Sequence, residues 1–534
     1  MNLVSHLLQR LLKLPPPATR SVSVQRDLRV SMADGVELLA DRWVPRGGAE
    51  SLPTALIRTP YGRRGLFAAM MARPLAERGF QVVLQSTRGG FGSGGTFDPL
   101  RQERADGLAT LDWLIKQPWF GGSIVLVGMS YMGYVQWAVA DSLPPEVKAL
   151  IPQNSESALT LEFLRKDGMS LETPFGWGVL VGSQERSFAL LRQPFQRRRL
   201  SRAIRTLPLR DSDTVALGHR SQYIQDVLAH DANDPHWQRL DHSRRAANVT
   251  VPVSSIGGWY DIFLPGQIRD FRALVAAGKP ARLTIGPWTH VALTNVPILE
   301  AIDFGLAHAR GAEPKERAPV RLFVMGEEAW RDFDAWPPSG YAPRRFHLHA
   351  GGALAETPPP ESAPDRYGYD PADPTPSVGG ARMPPDAGRV DNAKLEARAD
   401  VLKYTTGVLE HDVEVVGEIG AEIWFRSSVP YADVFVRLCD VDERGRSANV
   451  CDGLVSLSTA DTPSLAAVRL WPTAHRFKRG HRIRVQVSSG AFPRYARNHG
   501  TGEPRATATR LVAAAQFVYH DPAHASAIIL PVRG

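Results

Sequence analysis

No stretch narrows the choice of fold as far as Ile124-Val125-Leu126-Val127-Gly128-Met129-Ser130-Tyr131-Met132-Gly133-Tyr134-Val135-Gln136-Trp137-Ala138. Its first residues are β-branched or aliphatic and read as a short buried strand, whereas the apolar residues after the serine recur at helical spacing. A strand that turns directly into a helix forces the corner residue into a strained conformation and lifts its side chain above the sheet. Ser130 occupies that corner, and the backbone N–H of Tyr131, at the helix N-terminus, is free to donate to an oxyanion. The usual form of the motif has glycine two residues after the serine; here Met132 stands there and Gly133 follows. Taken alone, G-x-S-x-x-G is also compatible with an ordinary strand-to-helix turn.

Two later turns add weight. Val251-Pro252-Val253-Ser254-Ser255-Ile256-Gly257-Gly258-Trp259-Tyr260-Asp261 and Ala281-Arg282-Leu283-Thr284-Ile285-Gly286-Pro287-Trp288-Thr289-His290 each run from an apolar strand into a polar residue. Open α/β sheets place their chemistry in the loops after strands. Serine, aspartate, histidine is also the chain order in which α/β-hydrolases supply a triad. Asp270 is a second carboxylate near Asp261, and His290 is one of 15 histidines, distinguished by its place after a strand.

The rest of the chain fits around these turns. Residues Val22 to Leu39 alternate across Met32-Ala33-Asp34-Gly35 as a β-hairpin does. Thr54 to Arg58, a helical stretch from Leu66 to Arg78, and Gly79 to Gln85 form a strand–helix–strand unit, which implies a mostly parallel sheet. Strand signals stop between about Ser155 and Asn248, where helical stretches dominate. That block includes a basic run from Arg192 to Arg210, with Arg197, Arg198, Arg199, Arg202 and Arg205, read as the solvated face of a lid. Strands resume at Val251 and Ala281, and a last one, Pro319 to Met325, precedes Gly326 and the Trp330 to Trp336 segment. From Phe346 onward, short alternating runs at His411 to Phe425, Asp433 to Val441, Arg482 to Ser488 and Ala514 to Tyr519 indicate a β-sandwich or jelly roll. Thr357 to Gly388, rich in proline, glycine and aspartate, has the composition of a linker.

Several function classes are set aside. Gly90, Gly92 and Gly95 spell G-x-G-x-x-G after a strand, yet no helix opens at the last glycine, so a flexible loop at the rim of the site is preferred over a dinucleotide turn. No P-loop occurs and no cysteine or histidine cluster has metal-ligand spacing, so neither cofactor nor metal is expected. At 534 residues, 43% hydrophobic and 22% charged, the chain is a soluble multidomain protein. A net charge of +8 over so large a surface is too small to indicate nucleic-acid binding. No stretch reaches the ~18 apolar residues of a membrane span, so no stable membrane insertion is expected. Cys439 and Cys451 flank a turn and are expected as free buried thiols. Leucines 3, 7, 11 and 14 line one face of a short N-terminal helix, which is expected to dock on the body or a partner. It makes a poor signal peptide, leaving the cytoplasm as the default.

Gly128-Met129-Ser130-Tyr131-Met132-Gly133, Gly257-Gly258-Trp259-Tyr260-Asp261 and Gly286-Pro287-Trp288-Thr289-His290 together resemble the Xaa-Pro dipeptidyl-peptidase-like serine hydrolases, in their cocaine esterase-like branch. That family's elbow reads G-x-S-Y-x-G, so Met132 fits it. Thr59-Pro60-Tyr61-Gly62, Arg88-Gly89, Phe323-Val324-Met325-Gly326, Tyr369-Asp370-Pro371, Val485-Gln486-Val487-Ser488-Ser489 and Phe492-Pro493-Arg494 agree as well. The resemblance implies an α/β-hydrolase body (22–154 and 249–345), an inserted helical cap (155–248) and a C-terminal β jelly-roll domain (346–534). The first 21 residues form an amphipathic extension outside the match. It also implies that the region around Tyr369-Asp370-Pro371 is ordered, and that a homodimer forms.

For chemistry, the resemblance implies Ser130 as nucleophile, His290 as general acid and base, and Asp261 as the group that orients it. Tyr61 and the Tyr131 N–H hold the oxyanion. The substrate is a small-molecule ester or amide. Members that recognise a free amine need carboxylates in the pocket, because a desolvated ammonium must be paired. Glu156, Glu162, Asp167 and Glu172 follow the elbow but read as solvent-facing cap residues, so a carboxylesterase is preferred to an Xaa-Pro dipeptidyl-peptidase or an α-amino acid ester hydrolase. An inactive binding protein on the same fold is the reading from another class.

Overall fold

The computed structural model describes residues 3–47, 52–159, 168–185, 198–231, 234–292, 294–383 and 386–534. Ten strands make the first sheet: β1 (Val22–Ser31), β2 (Glu37–Pro45), β3 (Thr54–Thr59), β4 (Gln81–Ser86), β5 (Ile124–Met129), β6 (Val147–Gln153), β7 (Val253–Tyr260), β8 (Ala281–Thr289), β9 (Val320–Val324) and β10 (Ala329–Phe333). Their spatial order is β1-β2-β4-β3-β5-β6-β7-β8-β9-β10. From β4 to β9 every pairing is parallel, and antiparallel strands close both edges. Every residue of β3, β4 and β7 is buried, as expected of parallel strands covered on both faces. Edge strand β10 carries Arg331 and Asp332 at its centre, and nothing in the local sequence announces it.

Between residues 155 and 248 the described residues contain helices at Glu172–Val181, Ser212–Leu217, Gln222–Ala229 and Pro235–Gln238, and no strand. Arg198, Arg199, Arg202, Arg205 and Arg210 are exposed, a solvated basic face; Arg197 lies outside the described residues. Among the described residues, no helix is long and apolar enough to cross a membrane.

A second, all-β sheet begins at Tyr341–His349, so the boundary expected at 345/346 falls inside one of its strands. Strands at Ser447–Leu457, Ser464–Phe477 and Ala527–Arg533 join the four read from sequence. The linker composition of 357–388 is overridden by tertiary pairing. Asp365–Tyr369 pairs with Ala514–Val518, and Gly380 bonds reciprocally to Gly388. The two sheets share one apolar core, in which Leu264, Ile268 and Phe271 of helix Leu264–Ala276 pack with Val415, Val468 and Leu470. Cys451 pairs with Leu438 rather than Cys439, and both thiols are buried and unbridged. Burial pushes the Cys439 thiol up to about 12.

The N-terminal helix Leu3–Leu11 docks, but of the expected stripe only Leu14 is buried among the described side chains. Leu8, Leu12 and Leu14 are buried against Met70, Ile298 and Leu299, while Leu7 and Leu11 face solvent.

Candidate active site

Ser130 lies between β5 and helix Tyr131–Val139 with φ 57° and ψ −126°, backbone that non-glycine residues rarely adopt. Packing holds it there. The Ser130 N–H donates to the Gln153 carbonyl at 2.8 Å, and its carbonyl accepts from Gly133 and Tyr134. A Cβ on Gly128 would stand 2.4 Å from Met132 Cβ, and one on Gly133 would stand 2.5 Å from Ser155 Cβ. The second glycine therefore belongs at 133, the helix position that meets the loop after β6, and Met132 is accommodated in the core.

Asp261 follows β7 and His290 follows β8, so with Ser130 all three lie at the C-terminal ends of parallel strands. His290 Nε2 is 2.9 Å from Ser130 Oγ, and His290 Nδ1 is 2.8 Å from Asp261 Oδ2. The carboxylate can only accept, so Nδ1 carries the proton and Nε2 is left to accept from the serine hydroxyl. Asp261 is fully buried and also accepts from the Phe263 N–H at 2.8 Å. Asp270, the alternative carboxylate, is turned away. It accepts from the Ser157 N–H and hydroxyl, both at 2.6 Å, and pairs with Arg269.

Tyr61 and Tyr131 flank the serine. The Trp177 Nε1–H donates to the Tyr61 hydroxyl oxygen at 3.0 Å, so the phenolic proton is left to face the Ser130 side, where a reacting oxygen would sit. Burial raises the Tyr61 pKa against opposing hydrogen bonds with Trp177 and Ser130, which keeps the phenol a neutral donor. Tyr131 opens its helix, so its N–H has no carbonyl one turn earlier to bond. Its phenol donates to Glu103 Oε1 at 2.8 Å, and Glu103 pairs with Arg58 at 3.0 Å, fixing the start of the helix from below.

Sequence reasoning missed Trp177 and Asn154. Asn154 directly follows β6 and its Nδ2–H donates to the His290 carbonyl at 2.8 Å, so the strand-end rule that found the others applies to it too. Trp177 sits in the helical block, where no local pattern connects it to the elbow.

The serine and histidine open into a cavity of about 700 Å³. Its walls are mostly apolar, with Trp177, Tyr223, Trp237 and Phe263 on one side, and no carboxylate lines it among the described residues. Of the candidate amine ligands, Glu172 is held by Arg382 at 2.8 and 2.9 Å, and Glu156 is buried next to Gly266. Glu162 and Asp167 lie outside the described residues. The glycine loop at 89–95 forms a hydrogen-bonded turn. Gly89 bonds Gly94, Gly94 bonds Glu37, the Phe91 N–H donates to Glu185, and Arg88 pairs with Asp106 and Asp34. One group of metal-ligand type, unforeseen from spacing, is Asp226, His230 and His236. Arg101 Nη2 stands 2.7 Å from Asp226 and 3.0 Å from His236, so a guanidinium holds that place.

A parallel sheet carrying a connected serine, histidine and aspartate at its strand ends has the architecture of an α/β hydrolase. The sequence pattern of the X-Pro dipeptidyl-peptidase (S15) family matches residues 34–292, and that of the X-Pro dipeptidyl-peptidase C-terminal non-catalytic domain matches 313–529. The chain is 33% identical to cocaine esterase of Rhodococcus sp. (strain MB1 Bresler), over 96% of this chain and 98% of that one. It belongs to the X-Pro dipeptidyl-peptidase family, in its cocaine esterase-like branch, and is a serine hydrolase. In fold it is similar to an aminopeptidase from a marine sediment archaeon, a Thaumarchaeota archaeon (TM-score 0.84, 21% identity, 97% of this chain and 98% of that one). It is also similar to an α-amino acid ester hydrolase (TM-score 0.83, 22% identity, 97% and 98%).

Proposed function

We propose that this chain is a carboxylesterase acting on uncharged, largely apolar esters through an acyl-enzyme. Ser130 attacks the carbonyl carbon as His290 Nε2 takes its proton, and His290 returns that proton to the leaving alcohol. Asp261 holds the imidazole in the required tautomer and stabilises the imidazolium. The Tyr61 hydroxyl and the Tyr131 N–H receive the developing negative oxygen. Water then repeats the sequence on the acyl-enzyme, with His290 as base.

The observation that favours an esterase over a dipeptidyl-peptidase or an α-amino acid ester hydrolase is the lining of the cavity. A free ammonium brought into this apolar space would meet no carboxylate among the described residues, and an unpaired buried charge is strongly unfavourable. The test compares kcat/KM for p-nitrophenyl butyrate with that for Gly-Pro-p-nitroanilide. The butyrate is expected to be preferred, and a strong preference for Gly-Pro overturns the choice.

A further inference from the structure

The cavity beside Ser130 is lined from two separate apolar clusters. One contains Tyr131, Phe263 and Trp237, with Trp177 and Tyr223 packed on it, beneath the helical block. The other contains Ile57, Leu75 and Ala301, with Met71 and Trp288 packed on it, on the far side of the elbow. Tyr61 packs against both, so the reacting centre sits where two lobes meet.

The second lobe is closed by a segment from outside the family match, which begins at residue 34. Leu12, just past the N-terminal helix, lines the cavity that holds Ser130 and packs with Leu8 and Leu14 against Met70 and Ile298. A nine-residue helix is too short to persist alone. It is tied down on both sides of Leu12: the Ser5 hydroxyl donates to Glu77 at 2.9 Å, Arg78 donates to the Pro15 carbonyl at 2.8 Å, the Ala18 N–H donates to the Glu77 carbonyl at 2.9 Å, and Arg20 donates to Ser5 at 2.7 Å. Glu77 and Arg78 are themselves buried just beyond helix Gly65–Ala76, which carries Met70 and Met71. The position of Leu12 is thus set by bonds to the hydrolase body, and its side chain is presented to the cavity.

We propose that Leu12 is a specificity-determining residue: the N-terminal segment forms the end wall of a second apolar subsite that takes one unbranched hydrocarbon chain of the ester. Methionines suit such a lobe, because their flexible thioethers adapt to chains of different length. The inference rests on the esterase reading. The chain can come from the acyl or the alcohol half of the substrate, and the experiment separates these sources.

Full-length wild type, Leu12→Ala and Leu12→Trp are compared in two series. The first is p-nitrophenyl acetate, butyrate, octanoate and decanoate; the second is methyl, butyl and octyl acetate followed by pH-stat. In one series Leu12→Trp is expected to lower kcat/KM for the eight-carbon chain relative to the shortest ester by ~10-fold or more, the scale on which a hydrophobic pocket responds to a few methylenes. Leu12→Ala is expected to move the optimum to longer chains in the same series, and that series identifies which half enters the lobe. Thermal melts run alongside, and Leu12→Phe, a smaller step in the same direction, replaces the tryptophan variant where that variant melts early. Chain-length ratios unchanged in both series, in variants that remain folded and active, overturn the subsite alone. Wild type inert on every ester overturns the esterase reading and the subsite with it.

Discussion

Among the described residues, two groups of serine, histidine and aspartate lie at contact distance and invite comparison, and one of them has the surroundings of a reaction centre. In the second sheet, His520 Nδ1 is 2.7 Å from Ser362 Oγ and its Nε2 is 3.1 Å from Asp365 Oδ2, while Tyr404 donates to the same carboxylate at 2.7 Å. By distance this set is close to Ser130, His290 and Asp261, but the ring is reversed, with Nδ1 rather than Nε2 toward the serine, and the Nε2–Asp365 contact lacks hydrogen-bond geometry. The differences lie around it. Ser130 has a left-handed φ at a strand-to-helix corner and Ser362 does not. The Ser362 hydroxyl also reaches the His520 carbonyl at 3.2 Å, giving its proton a backbone acceptor. Asp261 is wholly buried, whereas the Asp365 side chain is about one-third exposed. None of Ser362, His520 and Asp365 lines the cavity that Ser130 opens into. Nearness of the three residue types therefore does not define a nucleophile; in the proposed mechanism a relay of true hydrogen bonds, a strained corner, oxyanion donors and a space for substrate do.

The sharpest way to break this contrast is a pair of alanines. Ser130→Ala is expected to lower kcat for p-nitrophenyl butyrate by ~10⁴ or more and to abolish labelling by a fluorophosphonate. Ser362→Ala is expected to leave both unchanged, and labelling at Ser362 would reverse the assignment. The tyrosines form the next pair. Tyr61→Phe removes one oxyanion donor and is expected to reduce kcat by ~10²–10³ with folding intact. Tyr404→Phe removes a 2.7 Å hydrogen bond to a carboxylate in the second sheet and is expected to lower stability by about 1.5–3 kcal/mol with no change in kcat.

A third buried histidine shows what a carboxylate partner contributes. His242 packs on Tyr134 with ring centroids 5.1 Å apart, and neither ring nitrogen has a hydrogen-bond partner among the described residues. Burial, with Arg245 and Arg104 nearby, lowers its pKa from 6.5 to about 4. With the folded value below the unfolded one, the stability that rests on the neutral ring is fully present above pH 6.5. It is lost progressively as the pH falls from 6.5 toward about 4, where the folded ring also takes up its proton. Between pH 7.5 and 4.5 this amounts to roughly 2–3 kcal/mol. Urea melts at the two pH values are expected to show that extra loss in wild type and not in His242→Phe; equal losses would remove His242 as the cause.

What was legible in the sequence was local. The elbow, Asp261 and His290 each sit where a strand runs into a loop, and that rule needs no knowledge of distant residues. The N-terminal helix marks where such reasoning stops. Leucines at 3, 7, 8, 11, 12 and 14 offer two adjacent apolar stripes, and Met70 and Ile298, far along the chain, select the one carrying Leu8 and Leu12. The strand at Asp365–Tyr369 was hidden for a related reason: its pairing with Ala514–Val518 overrides a composition that reads as linker. The hairpin β9–β10 was half seen, because β9 alternates apolar residues while β10 does not: its contacts across the hairpin are Trp330 edge-on to Phe323 and Asp332 paired with Arg321, which only the fold brings together.

Trp177 is the residue of the site least legible in the sequence, and the loss of kcat expected from changing it is the smallest among the residues around Ser130. Its indole N–H bonds the Tyr61 hydroxyl, and its ring stacks on Tyr131 with centroids 5.8 Å apart and planes inclined by 14°. In the proposed mechanism it is a positioning residue, acting through the two groups assigned to receive the oxyanion. Trp177→Phe retains most of the apolar surface and removes the N–H, so kcat is expected to fall by about 5–10-fold, the worth of one ordinary hydrogen bond. Packing and aiming are separated by a double-mutant cycle. If the indole acts by orienting the Tyr61 hydroxyl, Trp177→Phe has no further effect on kcat once Tyr61 is phenylalanine, because no hydroxyl remains to be aimed. If the two losses multiply instead, Trp177 acts on the cavity wall alone, and the oxyanion donors are held without it.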